Sequence, residues 1–241
     1  NGYNIAIGHN AGLSVTTGVQ NTIIGGLAGD ALTTGDSNVA IGYTALSSED
    51  EHGSNTAIGF AALQVQNAGA DAFNVAIGHA AGLSVSTGAG NVLIGGLAGD
   101  ALTTGIRNVA IGLEALSTED TRNYAVAIGY RALFSQNAAS NTYNVAVGAE
   151  AGKSVTTGNT MVLIGGLAGD SLTTGSSNIA IGYNALSSED TGQRSVAIGE
   201  GALQTQNNDD NNYNIAIGHH AGHLITTGTN NVIIGGFAGD A

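Results

Sequence analysis

Short stretches of alternating large and small apolar residues recur along the whole chain, and each one ends at a glycine. In the first stretch, Ile5 and Ile7 flank the small Ala6, and Gly8 follows. This alternation with a period of two over β-branched residues predicts a short strand with one buried face. A second short apolar segment, AGLSV, comes next, and the turn TTG follows it. Two short strands and two turns, completed before the pattern begins again, predict one coil of a β-solenoid.

The phrase N-x-A-I-G, or a close variant, occurs fourteen times in steps of 17, 17, 17 and 19, so that a 70-residue period lies over the shorter one. A sandwich requires no such strict repetition, whereas a solenoid stacks like coils in register. The sequence therefore predicts an all-β fold, a parallel β-solenoid (β-roll) of about 14 coils. The copies begin at Asn4, Asn21, Asn38, Asn55, Asn74, Asn91, Asn108, Ala125, Asn144, Met161, Asn178, Ser195, Asn214 and Asn231.

The repeats extend from one end of the chain to the other, so we expect a single solenoid segment over 1–241. Its superrepeats are 4–73, 74–143, 144–213 and the partial 214–241. Both ends of the sequence fall inside the pattern, which favours a segment of a longer fibrous protein. With coils about 4.8 Å apart, the segment is expected to be a rod roughly 65 Å long.

Two positions of the coil are occupied with great regularity. The glycine after the strand is present in all fourteen coils, which predicts a positive-φ corner or a close approach of two backbones. An asparagine opens eleven of the fourteen coils, which predicts a ladder of stacked amides bonded to the coils above and below. The alternative is that asparagine only suits a turn. The first members of the two rows are Gly8, Gly25, Gly42, Asn4, Asn21 and Asn38.

The residue between the two large side chains of each strand is usually alanine. A row of alanines suits neither water nor a thick core, and it would allow a second chain to approach closely. One coil in four carries a large apolar residue there, which predicts a subunit seam; the alternative is that these coils turn the residue inward. The predicted seam is formed by Ala6, Ile23, Ala40, Leu93, Leu163 and Ile233.

The pentapeptides NVAIG and NIAIG resemble the head-domain repeat of trimeric autotransporter adhesins, the YadA-like heads, whose signature is similar to N-S-V-A-I-G. Similar repeats occur in phage tail-fibre and other virion-surface proteins. The resemblance implies a left-handed parallel β-roll, three chains side by side, and a role as the adhesive or spacing part of a surface fibre. The coils of this chain are longer than is usual in those heads, and the 70-residue superperiod is a further departure.

The charge balance limits the partners. Five basic residues against 18 acidic ones give a net charge of −13, which argues against a nucleic-acid groove or an anionic membrane surface. No apolar run approaches the length of a membrane-spanning helix, so we expect no membrane span in this segment. Neither the full phosphate-loop pattern G-x-x-x-x-G-K-[ST] nor a G-x-S-x-G elbow is present, and we expect no enzyme.

Two rows of potential metal ligands recur at the superrepeat spacing. The stretch GGLAGDAL resembles the calcium-binding RTX nonapeptide, but its aspartates, Asp30, Asp100 and Asp170, are four coils apart and cannot share one ion within a chain. We therefore expect no cofactor, with calcium bound by these aspartates as the weaker alternative. His9, His79 and His219 occupy one position of the superrepeat and are predicted to be surface residues.

The acidic run Ser48-Glu49-Asp50-Glu51 has echoes at Glu119-Asp120 and Glu189-Asp190. A catalytic pair of carboxylates needs two unlike environments, and a repeated turn offers the same environment each time. The run is therefore predicted to be a solvated acidic stripe.

Three features are candidates for binding. Thr16 and Thr33 are the first members of threonine rows that other residues interrupt. By analogy with solenoids that bind ice, such rows could bind a regular lattice. Gln66 and Tyr43 belong to amide and aromatic rows of the kind that contact sugars. The longer coil of each superrepeat carries two extra residues in a polar loop, and insertions in solenoids often lie on the binding face. The candidate residues of these loops are Asp71, Tyr143 and Asn211.

These observations favour a structural or adhesive segment of a trimeric extracellular fibre, on a cell surface or a virion surface. A homotrimer and a host-surface glycan or protein receptor are the expected partners. A monomeric solenoid that binds a lattice such as ice, and a calcium-binding secreted solenoid, remain the alternatives.

Overall fold

The computed structural model describes residues 2–138 and 140–240, and these residues form fourteen three-residue strands and no helix. All fourteen strands lie in one parallel sheet, in chain order. The strands are β1 (Ile5–Ile7), β2 (Thr22–Ile24), β3 (Val39–Ile41), β4 (Thr56–Ile58), β5 (Val75–Ile77), β6 (Val92–Ile94), β7 (Val109–Ile111), β8 (Val126–Ile128), β9 (Val145–Val147), β10 (Val162–Ile164), β11 (Ile179–Ile181), β12 (Val196–Ile198), β13 (Ile215–Ile217) and β14 (Val232–Ile234).

The strands pair without a shift in register, middle residue against middle residue. Ala6 pairs with Ile23 across one of the shorter coils, and Thr56 pairs with Val75 across one of the longer coils. Each strand therefore returns to the same place after one turn of the chain, which confirms the predicted parallel β-solenoid. Its left-handedness stays a prediction.

The chain divides into two compact units, Asn1–Asn123 and Tyr124–Ala241. The first unit contains β1 to β7 and the second contains β8 to β14. Within the described residues, no helix of the length and apolar character needed to cross a membrane is found. The single segment predicted over 1–241 stays a prediction.

The middle residue of each strand points into the coil, which reverses the predicted orientation. Ile23 is 1% exposed, and Ala40, Leu93 and Leu163 are fully buried. The predicted seam is therefore wrong at these four positions, because the side chains lie in the core of their own chain and cannot contact a second copy. In the end coils Ala6 is exposed and Ile233 is half-buried, and the unshifted register gives both the same inward side as their neighbours.

The larger residue in every fourth coil fills space that glycines leave. A Cβ atom on Gly12 would lie 2.9 Å from Ile23 Cδ1, and one on Gly29 would lie 3.5 Å from Ile23 Cγ2. In the third coil the sizes are exchanged, since Ala40 replaces the large strand residue and Leu46 replaces the glycine, and both are buried. The large strand residue therefore occupies the part of the core that Leu46 fills in the third coil. The same fit recurs at Leu93 with Gly82 and Gly99, and at Leu163 with Gly152 and Gly169.

The strand-end glycines meet both conditions that the sequence predicted. Gly8, Gly25 and Gly42 have φ angles of 134°, 135° and 136°. A Cβ atom on each would lie 2.5, 2.4 and 2.2 Å, respectively, from the carbonyl oxygen of the corresponding glycine in the next coil. The backbones therefore approach each other so closely along this row that no side chain fits between them.

The predicted asparagine ladder is confirmed, although its bonds run from backbone to side chain. The backbone N–H of Asn21 donates to Asn4 Oδ1 at 2.8 Å, and that of Asn38 donates to Asn21 Oδ1 at 2.9 Å. The Nδ2 group of Asn21 donates to the carbonyl oxygen of Gly35 at 2.8 Å, across the coil. Each asparagine therefore links its own coil to the next and also fastens the corner of its own coil.

Candidate binding surface

The first and third residues of every strand point away from the core, and together they form an apolar surface that we call the sheet face. Apart from Thr22 and Thr56, every position of the sheet face is Ile or Val. In the first unit the exposed fraction is 50% at Ile5 and 36% at Ile77, and in the second unit it is 37% at Ile164 and at Ile217. No charged residue interrupts the sheet face in either unit.

A sheet with one face in water normally alternates apolar inward residues with polar outward ones. Here both faces are apolar, so the sheet face resembles a surface that another layer covers. Contiguous exposed apolar surface of this kind is rare on monomeric soluble proteins and commonly marks an interaction site. The sheet face is therefore the strongest candidate binding surface of the molecule.

An aromatic column, formed by Tyr43, Phe60 and His79, follows the strand-end glycines of three successive coils. The ring centroids of Tyr43 and Phe60 are 5.8 Å apart with an interplanar angle of 18°, and those of Phe60 and His79 are 5.1 Å apart with an angle of 7°. All three residues are exposed, and Tyr43 is 52% exposed. The column presents stacked ring edges and a hydroxyl group to solvent, which suits contact with a sugar or an apolar side chain.

Tyr143 stands directly before an asparagine of the ladder and is also exposed. Its ring stacks on that of Tyr124, with centroids 5.3 Å apart and an interplanar angle of 4°. Its φ angle of 51° is positive, as are those of the residues that precede the asparagines in the other coils. Part of the ring is therefore used within the chain, and the other part remains accessible.

The threonine rows are partly used for bonding between coils. The hydroxyl of Thr16 donates to the carbonyl oxygen of Thr33 at 3.1 Å, and that of Thr33 donates to the carbonyl oxygen of Asp50 at 3.0 Å. The hydroxyl protons therefore point along the solenoid and are not available to a lattice, although the oxygen lone pairs are. Lattice binding through these residues stays a prediction.

Gln66 is fully buried, so its predicted contact with a ligand at the surface is wrong. Its Oε1 atom accepts a hydrogen bond from Nδ2 of Asn74 at 2.7 Å. The side chain therefore supports the asparagine ladder from inside the coil. The same bond recurs at Gln136 with Asn144 and at Gln206 with Asn214.

The glutamates of the predicted acidic stripe are fully buried, so that prediction is wrong for Glu49, Glu119 and Glu189. The Glu49 carboxylate accepts hydrogen bonds from the backbone N–H groups of His52 at 3.1 Å and Ala68 at 3.3 Å. Burial raises the pKa of Glu49 above its ordinary value, and these backbone donors partly oppose the rise. The glutamates therefore close turns from inside and are not available to a partner.

The loops of the longer coils place Asp71 and Asn211 at the surface. Asp71 Oδ1 accepts a hydrogen bond from the backbone N–H of Gly53 at 2.9 Å, so the loop is tied to the preceding coil. Asn211 forms an isolated parallel bridge with Gln193. Both residues remain candidates for receptor contact, and nothing in the structure brings them together with Thr16 or Tyr43.

The predicted calcium ligands lie in separate coils. Ser117 Oγ donates to Asp100 Oδ1 at 2.7 Å, and burial raises the pKa of Asp170, with a further rise from the charge of Glu150. Among the described residues, the groups with ligand atoms close enough to share an ion do not include Asp30, Asp100 or Asp170. Calcium binding by this row within one chain therefore has no support in the geometry.

His9, His79 and His219 are exposed, as predicted. His79 is part of the aromatic column. His219 differs from the other two because a second histidine, His220, follows it directly in the sequence.

Comparison of the chain with protein-family models, with curated proteins and with solved structures finds no match in any of the three.

Proposed function

We propose that the chain is a non-catalytic structural or adhesive segment of a homotrimeric surface fibre, whose three copies pack through their sheet faces. The observation that carries this proposal is the uncharged Ile and Val surface on the outer side of a sheet whose inner side is already packed. The number three and the location on a cell surface or a virion surface follow from the resemblance of the repeats to adhesin heads.

The energy available from the sheet face is adequate for a stable assembly. Full burial of an aliphatic side chain contributes about 1.5–3 kcal/mol, so a residue that is one-third exposed contributes about 0.5–1 kcal/mol when it is covered. Most sheet-face residues are about one-third exposed or less, so the fourteen positions of one unit contribute at most about 14 kcal/mol. Association itself costs about 4–15 kcal/mol, so both units together can offset that cost.

The repetition also favours copies that face the same way. Every coil presents nearly the same pair of β-branched residues, so parallel chains bring like coils against like coils along the whole contact. The candidates for receptor contact are then the groups that remain outside the sheet face: the aromatic column, and Asp71, Tyr143 and Asn211 in and beside the loops.

The molar mass of the full chain in solution, measured by light scattering, tests the proposal. We expect three times the 23.7 kDa of one chain. The double variant Ile41→Lys with Ile181→Lys places one charge on the sheet face of each unit and should yield monomers, because the charges would be buried in the interface. The control Leu13→Lys with Leu224→Lys changes two residues that are 67% and 57% exposed and lie outside the sheet face.

The control variant should remain trimeric, and circular dichroism should show that both variants retain the fold. A monomeric wild-type chain, or a trimer that survives the lysines on the sheet face, would contradict the proposal. A monomer that produced thermal hysteresis would favour lattice binding, and a loss of stability on addition of a chelator that calcium but not zinc restores would favour the calcium-binding alternative.

A further inference from the structure

A cluster of imidazole and carboxylate groups lies in the last complete coils of the chain. Ligand atoms of Glu200, His219 and His220 all lie within 4.8 Å of one another. We infer that these three residues form a binding site for a divalent transition-metal ion, with Zn²⁺ as the best fit. The inference does not depend on the proposed trimer.

The chemistry of the three groups selects the class of metal. Two imidazole nitrogens and one carboxylate oxygen suit zinc and its first-row neighbours, whereas calcium and magnesium prefer oxygen ligands only. Zinc bonds to nitrogen are about 2.0–2.1 Å long, so its ligand atoms lie roughly 3.3 Å apart in a tetrahedron. Glu200 and His219 are exposed, so small rotations of their side chains can close the present separation. Three protein ligands leave a fourth position open.

The repeats within the chain show that the fold does not require these residues. Phe60 and Tyr130 stand at the position of Glu200 in the earlier superrepeats, and Asn10, Ala80 and Glu150 stand at the position of His220. The backbone is the same in both places, since the N–H of Ala80 donates to the carbonyl oxygen of Phe60 at 2.8 Å, and that of His220 donates to Glu200 at 2.8 Å. The combination of Glu200, His219 and His220 therefore arises at this place in the chain alone, without a change in the local backbone.

Gly201 provides room for the cluster. A Cβ atom at this position would lie 3.2 Å from Cε1 and 3.3 Å from Nε2 of His220. The backbone does not need glycine here, because Ala61 and Ala80 occupy the same position in other coils at a φ angle of 54°. The glycine therefore serves the imidazole ring, which it allows to lie beside Glu200.

A third histidine borders the site. The rings of His220 and His223 have centroids 4.6 Å apart. His223 Nε2 lies 3.1 Å from Gln204 Oε1, and its Nδ1 lies 3.6 Å from Asp240 Oδ1. Leu13 and Leu83 occupy the corresponding position in the first two superrepeats. These contacts hold His223 next to His220, where it can orient that ring.

A calorimetric titration of the untagged full chain with Zn²⁺, in a buffer free of other metals, tests the site. We expect one ion per chain. His219→Ala and His220→Ala should each weaken binding by at least about tenfold, because each removes a ligand. Both variants should fold, since Ala149 and Ala80 already occupy these positions in other superrepeats. Gly201→Ala should also weaken binding, because it crowds the His220 ring.

The control is His79→Ala, which removes an exposed histidine in the equivalent coil of the second superrepeat and should leave zinc affinity unchanged. Calcium, titrated in the same way, should give no binding at this site. The inference would be overturned if zinc failed to bind at one ion per chain, or if His79→Ala reduced affinity as much as His220→Ala did.

Discussion

The glycine that ends each strand is subject to two separate restrictions. Its φ angle lies between 126° and 141° in every coil, which side chains disfavour, and along the row the carbonyl oxygen of the next coil occupies the place of a Cβ atom. Elsewhere in the coil, residues such as Leu46 and Tyr143 hold φ angles of 52° and 51°. Positive φ angles near 50° are therefore tolerated in this chain, whereas at the strand end both the φ angle near 135° and the close approach of backbones require glycine.

Replacement of Gly42 by alanine should destabilise the chain strongly. The new Cβ atom would lie 2.2 Å from the carbonyl oxygen of Gly59, so two coils would have to separate. We expect a loss of at least about 3 kcal/mol in the free energy of unfolding, measured by urea denaturation. Gly69→Ala is the matched control, because a Cβ atom there meets nothing within 4 Å. Equal losses for the two variants would contradict this explanation.

The buried Glu49 should make stability depend on pH. Its pKa is raised above 4.5 in the folded chain, chiefly by burial, so just above that pH the folded state keeps a proton that the unfolded state has lost. The contribution of this group to stability is therefore largest below pH 4.5 and falls as pH rises through the raised pKa.

Urea denaturation of the wild type and of Glu49→Gln tests this dependence, because glutamine does not titrate. The urea midpoints of both proteins are measured from just below pH 4.5 to neutral pH. The wild type should lose more stability than the variant as pH rises. Parallel profiles for the two proteins would show that Glu49 does not contribute.

At the scale of the single coil, the volume of the side chains decides which side of the strand faces the core. A strand that reads Ile-Ala-Ile is apolar on both sides, so its hydrophobic periodicity does not say which side faces the core. The narrow interior accepts Ala40 opposite Leu46, or Ile23 opposite Gly29, but not two large residues. The strand that begins each coil, its register and the roles of Gly8 and Asn4 could be predicted from the repeat, whereas the inward side required the packing. The second strand predicted at AGLSV is wrong, because that segment forms a turn.

The buried glutamates could have been found from the sequence by aligning the coils at their repeat spacing. Glu49 stands in the same column as Val15, Leu32 and Gln66, and the apolar members of that column mark a core position. The acidic neighbours Asp50 and Glu51 concealed this signal because they made the run look like a solvated turn. Periodicity is therefore a better guide to burial in this chain than local composition.

Hydrogen bonds that link neighbouring coils use both side-chain oxygens of Glu189 as acceptors. The carboxylate accepts hydrogen bonds from the backbone N–H of Gly192 at 2.8 Å, from Gln206 Nε2 at 2.9 Å and from Asn212 Nδ2 at 2.8 Å. Glu189→Gln would place an amide donor against these donors, and we expect a loss of about 2–4 kcal/mol in the free energy of unfolding.

Thermal and urea unfolding measure this loss, and Glu51→Gln is the control because Glu51 is exposed. A variant at Glu189 as stable as the control would mean that the buried cluster does not need an acceptor with two oxygens.

The whole chain combines two periods, and the longer one has a structural cause. Leu93 lies over Gly82 in the coil before it and Gly99 in its own coil, where Cβ atoms would each lie 2.7 Å from its side chain. Deletion of the single coil 74–90 would bring Leu63 into the place of Gly82 and overfill the core. Deletion of the full superrepeat 74–143 leaves the order of large and small residues intact.

We therefore expect the superrepeat deletion to preserve a cooperative thermal transition and the single-coil deletion to lower the midpoint sharply, although it removes less of the chain. Circular dichroism during heating compares the two. A single-coil deletion that melted at the wild-type temperature would show that the core adapts freely to any order of coils.

The packing of the large Ile23 against glycines in its own coil and the coil before it also limits how the gene can change length. Unequal recombination between repeats can occur at any of the similar coils, but a product that places Leu63 directly beside Leu93 would overfill the core. Loss of one of the two like coils that contain Leu46 and Leu63 keeps the order of large and small residues. Inherited variants of this protein that differ in length should therefore keep a coil with glycine at the position of Gly82 before each coil with a large strand residue, so that packing inside the coil acts as a filter on which coils can be lost.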